Sequence, residues 1–414
     1  MRRVPLRELV LPVANWQPTR DARGKMICYI DIASIDRDSK TASATEMLAA
    51  DAPSRARQIV QAGDVLVSTV RPNLNAVAVV PEELDGATAS TGFAVIRADP
   101  NRVDPRLVFY WVRSPVFIAD MMSQATGASY PAVSDCIVFN STIPLHPLPE
   151  QRRIAALLDE ADALCRKRRE SLKLLDDLLR STFLDLFGDP VTNPKGWKTV
   201  RLDEVADIAS GVTKGRQFGN KPTVVVPYMR VANVQDGYLR LDEIKEIEVL
   251  PADLESCRLL DGDVLLTEGG DPDKLGRGAV WRDQINPCIH QNHVFRVRCR
   301  RDQLLPDFAS AILGSELGKR YFLRSAKQTT GIASINKTQL SGAPVLMPPL
   351  RHQVRFADAV ATIRTEESRL ATACTATERL FSSLLSSCFA EPGQEVGKRR
   401  LRTDAVDRTP EVYL

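Results

Sequence analysis

Apolar positions along this chain follow two rhythms, and the pair of rhythms occurs twice. Short apolar runs at 65–70, 76–80 and 93–97, and again at 264–267 and 293–298, are bounded by turn-forming residues and predict strands. Helical spacing predicts one helix over 108–122 and another over 308–322. From 150 to 187 there is neither Gly nor Pro. Apolar or small residues recur there in a 4,3 alternation: Ile154, Leu158, Ala161, Cys165, Arg168, Leu172, Leu175, Leu179, Thr182 and Leu186, with Arg168 and Thr182 as interruptions. The same alternation returns at Phe356, Val360, Ile363, Glu367, Leu370, Cys374, Thr377, Phe381, Leu384 and Cys388. A seam that repeats every 3.5 residues needs a partner helix along its length. The other long helix of the same chain is the expected partner. At a rise of 1.5 Å per residue, some 38 helical residues extend roughly 57 Å. Gly188-Asp189-Pro190 stops the first helix, as a glycine followed by a proline does.

The doubling extends to individual residues. Gly63-Asp64-Val65-Leu66-Val67-Ser68 recurs as Gly262-Asp263-Val264-Leu265-Leu266-Thr267, an offset of 199. Tyr29-Ile30-Asp31-Ile32 recurs at that offset as Tyr228-Met229-Arg230-Val231. Thr126-Gly127-Ala128-Ser129 parallels Thr330-Gly331-Ile332-Ala333, and Gln151-Arg152-Arg153-Ile154-Ala155 parallels Gln353-Val354-Arg355-Phe356-Ala357. Leu6-Arg7-Glu8-Leu9 likewise parallels Leu202-Asp203-Glu204-Val205. Five ordered matches with a drift of a few residues indicate a tandem duplication. Each copy is a mixed α+β unit followed by a long helix.

Composition narrows the class without naming a function. The chain has 414 residues, a formal net charge of +3 and eight scattered cysteines. Residues 1–148 carry 15 basic and 15 acidic side chains, and residues 191–349 carry 22 and 19. Such a balance neither establishes nor excludes nucleic-acid binding, which depends on local clusters. No apolar run is long enough to span a membrane, and the N-terminus is a poor secretory signal. Cysteines without C-x-x-C spacing fit reduced thiols, so a cytoplasmic location is expected.

The junctions carry a family resemblance. Pro147-Leu148-Pro149-Glu150-Gln151-Arg152-Arg153-Ile154-Ala155 resembles the signature that opens the first central helix of Type I restriction–modification specificity subunits, the HsdS family. Phe183-Leu184-Asp185-Leu186-Phe187-Gly188-Asp189-Pro190 with Gly196-Trp197 resembles that helix's exit into a second recognition domain. The likeness covers residues 1 to about 390. It departs at Arg351-His352-Gln353, which lacks the usual acidic residue before Gln, and at Gln291-Asn292-His293, set against Thr91-Gly92-Phe93 in the first copy.

The resemblance implies a first target-recognition domain at 1–148, a first central spacer helix at 149–190, a second recognition domain at 191–348 and a second spacer helix at 349–390. The tail 391–414 is expected to be disordered. Each domain would read one half of a bipartite double-stranded DNA target, and two antiparallel coiled-coil helices would set the gap. Partners would be two modification (methyltransferase) subunits and restriction/translocase subunits, in bacterial defence. The chain itself would be non-catalytic, with S-adenosylmethionine held on the methyltransferase subunit. A structural coiled-coil adaptor without sequence-specific DNA binding is the alternative reading.

Arg and Lys suit guanine and phosphate, and Asn and Gln suit adenine, so polar residues in glycine-punctuated loops are the candidate DNA contacts. In the first copy these are Arg71, Asn73, Ser129 and Tyr130. In the second they are Arg230, Asn233, Lys274, Arg277, Gln291, Asn292, His293, Lys327, Gln328, Asn336 and Lys337. Cys288, His290, His293 and Cys299 invite a metal reading, but a strand would send them to opposite faces. The segment 268–278 lacks a phosphate-loop pattern, Asn286-Pro287-Cys288 falls short of an amino-methyltransferase motif, and no nuclease carboxylate set is recognisable.

Overall fold

The computed structural model describes residues 2–270, 275–329 and 332–389. The tail at 391–414 and Lys274 therefore lie outside the described residues. The chain forms two compact units, one built from residues 2–170 with 370–389 and the other from Ser171–Arg369.

In the first unit, Val65–Ser68 sits in a four-stranded sheet between Phe93–Ala98 and Val77–Val79, with Val10–Leu11 beyond. A second four-stranded sheet runs Thr45–Leu48, Met26–Ile30, Thr88–Ser90, Ala56–Ile59. All four residues of Val65–Ser68 are buried, which is why this strand reads as continuously apolar rather than alternating. Arg2–Pro5 pairs antiparallel with Thr142–Leu145 and brings the chain end to the root of the long helix Leu148–Phe187.

The second unit has its own version of these elements. Val264–Thr267 lies between Val294–Cys299 and Gly278–Val280, with Ala206–Ser210 outermost. Lys198–Arg201 pairs with Pro344–Met347 just before the long helix Leu350–Phe389. Lys245–Val249, Val224–Met229 and Ile289–His290 form a further sheet.

The helices expected over 108–122 and 308–322 are each broken in two. The first divides into Pro105–Trp111 and Pro115–Gln124, because Pro115 cannot donate to a preceding turn and Ser114 caps the new helix through the Phe117 amide. The second divides into Pro306–Gly314 and Glu316–Ser325. There Gly318 lies against the Leu313 carbonyl, and a Cβ on Gly318 would stand 2.0 Å from that oxygen. Glycine is what permits the tight corner.

Each unit contains parts of both long helices, and every seam position is buried or half-buried. In the first unit, Ile154 and Leu158 share an apolar cluster with Leu385 and Phe389, and Trp111 meets Phe389 edge-on at 5.3 Å. Arg169 donates to Glu378 at 2.7 Å, and Arg168 reaches the Ala373 carbonyl and the Thr377 hydroxyl. The interruption at Arg168 is thereby satisfied within the seam. In the second unit, Phe183 and Phe187 pack on Phe356 at 5.6 Å each and on Phe308. Asp176 lies against Glu367, and burial together with that carboxylate raises its pKa.

Candidate nucleic-acid interface

The strand with the Gly-Asp-Val-Leu sequence sets up the candidate loops in both units. Gly63 and Gly262 turn the chain at φ +87° and +88°, a left-handed conformation that favours glycine. The next residue, Asp64 or Asp263, is buried. Asp64 takes two hydrogen bonds from Arg97 at 2.9 and 2.7 Å, and Asp263 takes two from Arg298 at 2.7 Å each. The carboxylates raise the pKa of both guanidiniums by hydrogen bonding.

At its far end the strand releases a residue that clasps two neighbouring loops. The Thr69 amide donates to the Gly92 carbonyl at 2.9 Å, and the Thr69 carbonyl accepts from Val133 at 2.9 Å. In the second unit the Glu268 amide donates to His293 at 3.0 Å, and its carbonyl accepts from Ile335 at 2.8 Å. The same backbone clasp thus carries different side chains. It also corrects the loop alignment. Since Phe93 pairs with Ser68 and Val294 with Thr267, residues 90–92 correspond to 291–293, one step away from the match that sequence similarity suggests.

In the first unit the clasp brings two candidate loops together. Arg71, in a left-handed backbone conformation at φ 50°, donates its amide to the Pro131 carbonyl at 2.7 Å. Its guanidinium lies over the Tyr130 ring, 4.2 Å from the centroid. Tyr130 is 66% exposed, and Asn73 and Ser129 are exposed too.

The second-unit candidates divide. Asn233 is buried, and its amide nitrogen donates to the Arg240 and Glu243 carbonyls at 2.9 and 3.0 Å while its oxygen accepts from the Arg230 amide. Asn233 therefore holds a loop and has no amide left for a base edge, contrary to the expectation. Arg230 is half-buried and donates to the Glu243 carbonyl at 2.9 Å. Arg277 donates to Gln235 at 3.0 Å. Gln291 and Asn292 are half-buried, whereas His293 is exposed and joins Glu268. Lys327 and Gln328 lie in a strand, Lys327–Thr329, that pairs with Ile332–Ser334. Asn336 caps the helix Lys337–Ser341 by accepting from Gln339 at 2.9 Å, and Lys337 is exposed at the helix start.

The sequence reading gave no role to Asp236. It lies among Lys319, Arg277 and Arg180, and burial nonetheless raises its pKa. The four residues that invited a metal reading do not assemble. Cys288 belongs to an apolar cluster with Met229 and Trp281, and Cys299 to another with Phe308. Burial pushes both thiols up to about 12. His290 is fully buried, with Nδ1 2.6 Å from the Val294 carbonyl, and burial lowers its pKa to about 4. Among the described residues no helix is long and apolar enough to cross a membrane.

Residues 194–371 match the family model of the Type I restriction modification DNA specificity domain. The chain is 22% identical over 298 residues to the Type I restriction enzyme EcoKI specificity subunit of Escherichia coli K12, covering 68% of this chain and 64% of that one. The alignment thus spans somewhat under two thirds of that relative's length. A chain from a solved structure of the type I R-M system is 29% identical, with 94% of this chain and 97% of that one covered and a TM-score of 0.57. The HsdS subunit from Thermoanaerobacter tengcongensis is 30% identical over 94% of this chain and 96% of its own, with a TM-score of 0.42. The protein belongs to the family of Type I restriction–modification specificity subunits.

Proposed function

We propose that this chain is the DNA-reading subunit of a Type I restriction–modification complex, in which each recognition domain reads one half of a bipartite duplex target. The observation that carries this reading is the repeated clasp at Thr69 and Glu268, where one backbone arrangement presents unlike side chains. A tandem duplication that keeps its scaffold and varies its loop tips suits two half-sites of different sequence. The domains are 1–148 and 191–348, and the segments 149–190 and 349–390 serve as the spacer. Packing of Leu158 with Leu385 in one unit and of Phe183 with Phe356 in the other supports an antiparallel coiled-coil spacer. Two half-sites at a spacing fixed by a stiff scaffold give high specificity from modest individual interfaces.

The chain does no chemistry of its own in this scheme. Two methyltransferase subunits dock on it and hold S-adenosylmethionine, and restriction/translocase subunits join them in the bacterial cytoplasm. The test is methylation mapping in cells that express the chain with its cognate methyltransferase. A split motif that disappears when this chain is omitted is the expected result. Methylation that is independent of the chain would refute the reading and favour an adaptor that does not read DNA.

A further inference from the structure

Arg71 differs from the other candidate cations in how its charge is held. Arg230 and Arg277 are engaged by Glu243 and Gln235, whereas among the described residues no carboxylate or carbonyl accepts from the Arg71 guanidinium. What holds it is the face of Tyr130, 4.2 Å away, an aromatic ring that is itself 66% exposed. The backbone beneath is fixed from both sides. The Arg71 amide is tied to Pro131, and Asn75, four residues on, donates to the Val112 carbonyl at 2.9 Å while accepting from Lys40. Both Arg71 and Asn75 stand in the left-handed region, at φ 50° and 46°. Non-glycine residues adopt that conformation at a cost, and they persist where the surroundings hold them there.

An arginine stacked on an aromatic ring keeps its N–H edges available while losing little rotamer freedom on contact. That suits a planar, two-acceptor partner. In the major groove, guanine alone offers O6 and N7 side by side as acceptors. A phosphate also offers two acceptors, but it can be bound by a lysine as a point charge and needs no stacked, pre-set guanidinium. The second unit is built differently at this point. Gly270 takes the place of Arg71 and pairs with Ala333, as Arg71 does with Pro131, so Ile332 occupies the position of Tyr130 and not that of Ala128, a shift of two residues from the match of the short strings.

We infer that Arg71, poised on Tyr130, reads a guanine in the half-site of the first domain and that the second domain has no counterpart to this contact among the described residues. The inference rests on the DNA-reading function proposed above.

The test uses the complete complex with its methyltransferase and duplexes that carry the mapped target. Each guanine is replaced in turn by 7-deazaguanine, which lacks the N7 acceptor. The wild-type complex should lose roughly 10- to 100-fold in affinity at one position of one half-site. The Arg71→Met complex carries no donor there and should be indifferent to that replacement, while its response at all other positions is unchanged. Tyr130→Phe should behave as wild type, and Tyr130→Ala should resemble Arg71→Met. A uniform loss across all sequences with a shallower salt dependence would make Arg71 a phosphate contact and overturn the inference. So would a first half-site without guanine. A wild-type complex that shows no sequence preference would instead refute the DNA-reading function itself.

Discussion

Gln151 accepts the backbone N–H of Asp104 at 2.9 Å and donates to the His146 carbonyl at 2.7 Å, so one buried side chain ties the root of a long helix to the domain beside it. Gln353 repeats the arrangement, accepting from Leu305 at 2.8 Å and donating to Pro348 at 2.9 Å. Both also reach a second carbonyl, of Arg102 and of Gln303. The junction motif therefore has a physical cause: an amide is the smallest neutral group that can satisfy a donor and two acceptors at once.

Replacing either glutamine by alanine leaves those backbone groups buried without partners. A loss of about 1–3 kcal/mol is expected for Gln151→Ala, and similarly for Gln353→Ala, read as a lower midpoint in urea unfolding. Glu at position 151 should do worse than Ala, since it cannot donate and buries a charge. Midpoints equal to wild type would show that the helix roots are held by apolar packing alone.

Asp64 offers a second test. Its carboxylate is almost fully buried and serves Arg97 twice and the Gln61 amide at 2.8 Å. Asp64→Ala strands a largely buried guanidinium, for which about 3 kcal/mol of destabilisation is expected. The double variant with Arg97→Met should recover part of that loss. Double-mutant unfolding measurements check it, and strict additivity of the two changes would deny the coupling.

The sequence exposed the architecture better than the interface. The two long helices were legible because the Gly- and Pro-free stretches carry an apolar seam that survives interruption at Arg168 and Thr182. The duplication was legible because Asp64 and Asp263 each need a glycine before them and an arginine across the sheet. Loop residues were read less well. Asn233 has the composition of a base-reading residue, but three backbone groups that lie up to ten residues away consume its amide. No periodicity reports such a demand. Likewise, the break before Pro115 was visible as a residue type, yet apolar spacing on both sides favoured one continuous helix. The loop at 291–293 was misaligned by one residue because similarity of short strings cannot fix register, which hydrogen-bonded pairing does.

His290 predicts an acid-sensitive second unit. Its pKa of about 4 lies below the 6.5 of an ordinary imidazole because burial disfavours the cation, and Arg296 and Arg298 add repulsion that Asp263 partly offsets. Between pH 6.5 and 4 the unfolded chain takes up a proton that the folded chain does not. Stability from this group is therefore complete above pH 6.5 and declines as pH falls toward 4, by up to about 3 kcal/mol. The first unit has Ala89 at the equivalent place, as the pairing of Ala89 with Ile30 and of His290 with Met229 shows. His290→Ala should thus flatten the fall in melting temperature between pH 7 and 4.5, whatever its effect at neutral pH. An unchanged slope would assign the acid sensitivity to other groups.

The spacer reading is tested by lengthening both helices at once. Along the chain, the division between the two compact units falls between Glu170 and Ser171 in the first long helix and between Arg369 and Leu370 in the second. One heptad inserted at each place keeps Leu158 against its partners in one unit and Phe183 against its partners in the other. Seven residues add about 10 Å of helix, which matches about 3 base pairs of duplex. About 3 base pairs is also roughly a third of a duplex turn, so the lengthened complex must twist its DNA or its own helices to engage both halves. Methylation mapping should therefore find either the original half-sites with a wider gap or no methylation at all. If the half-sites change while the gap stays the same, the helices do not measure the gap, and the spacing must be set by the recognition domains themselves.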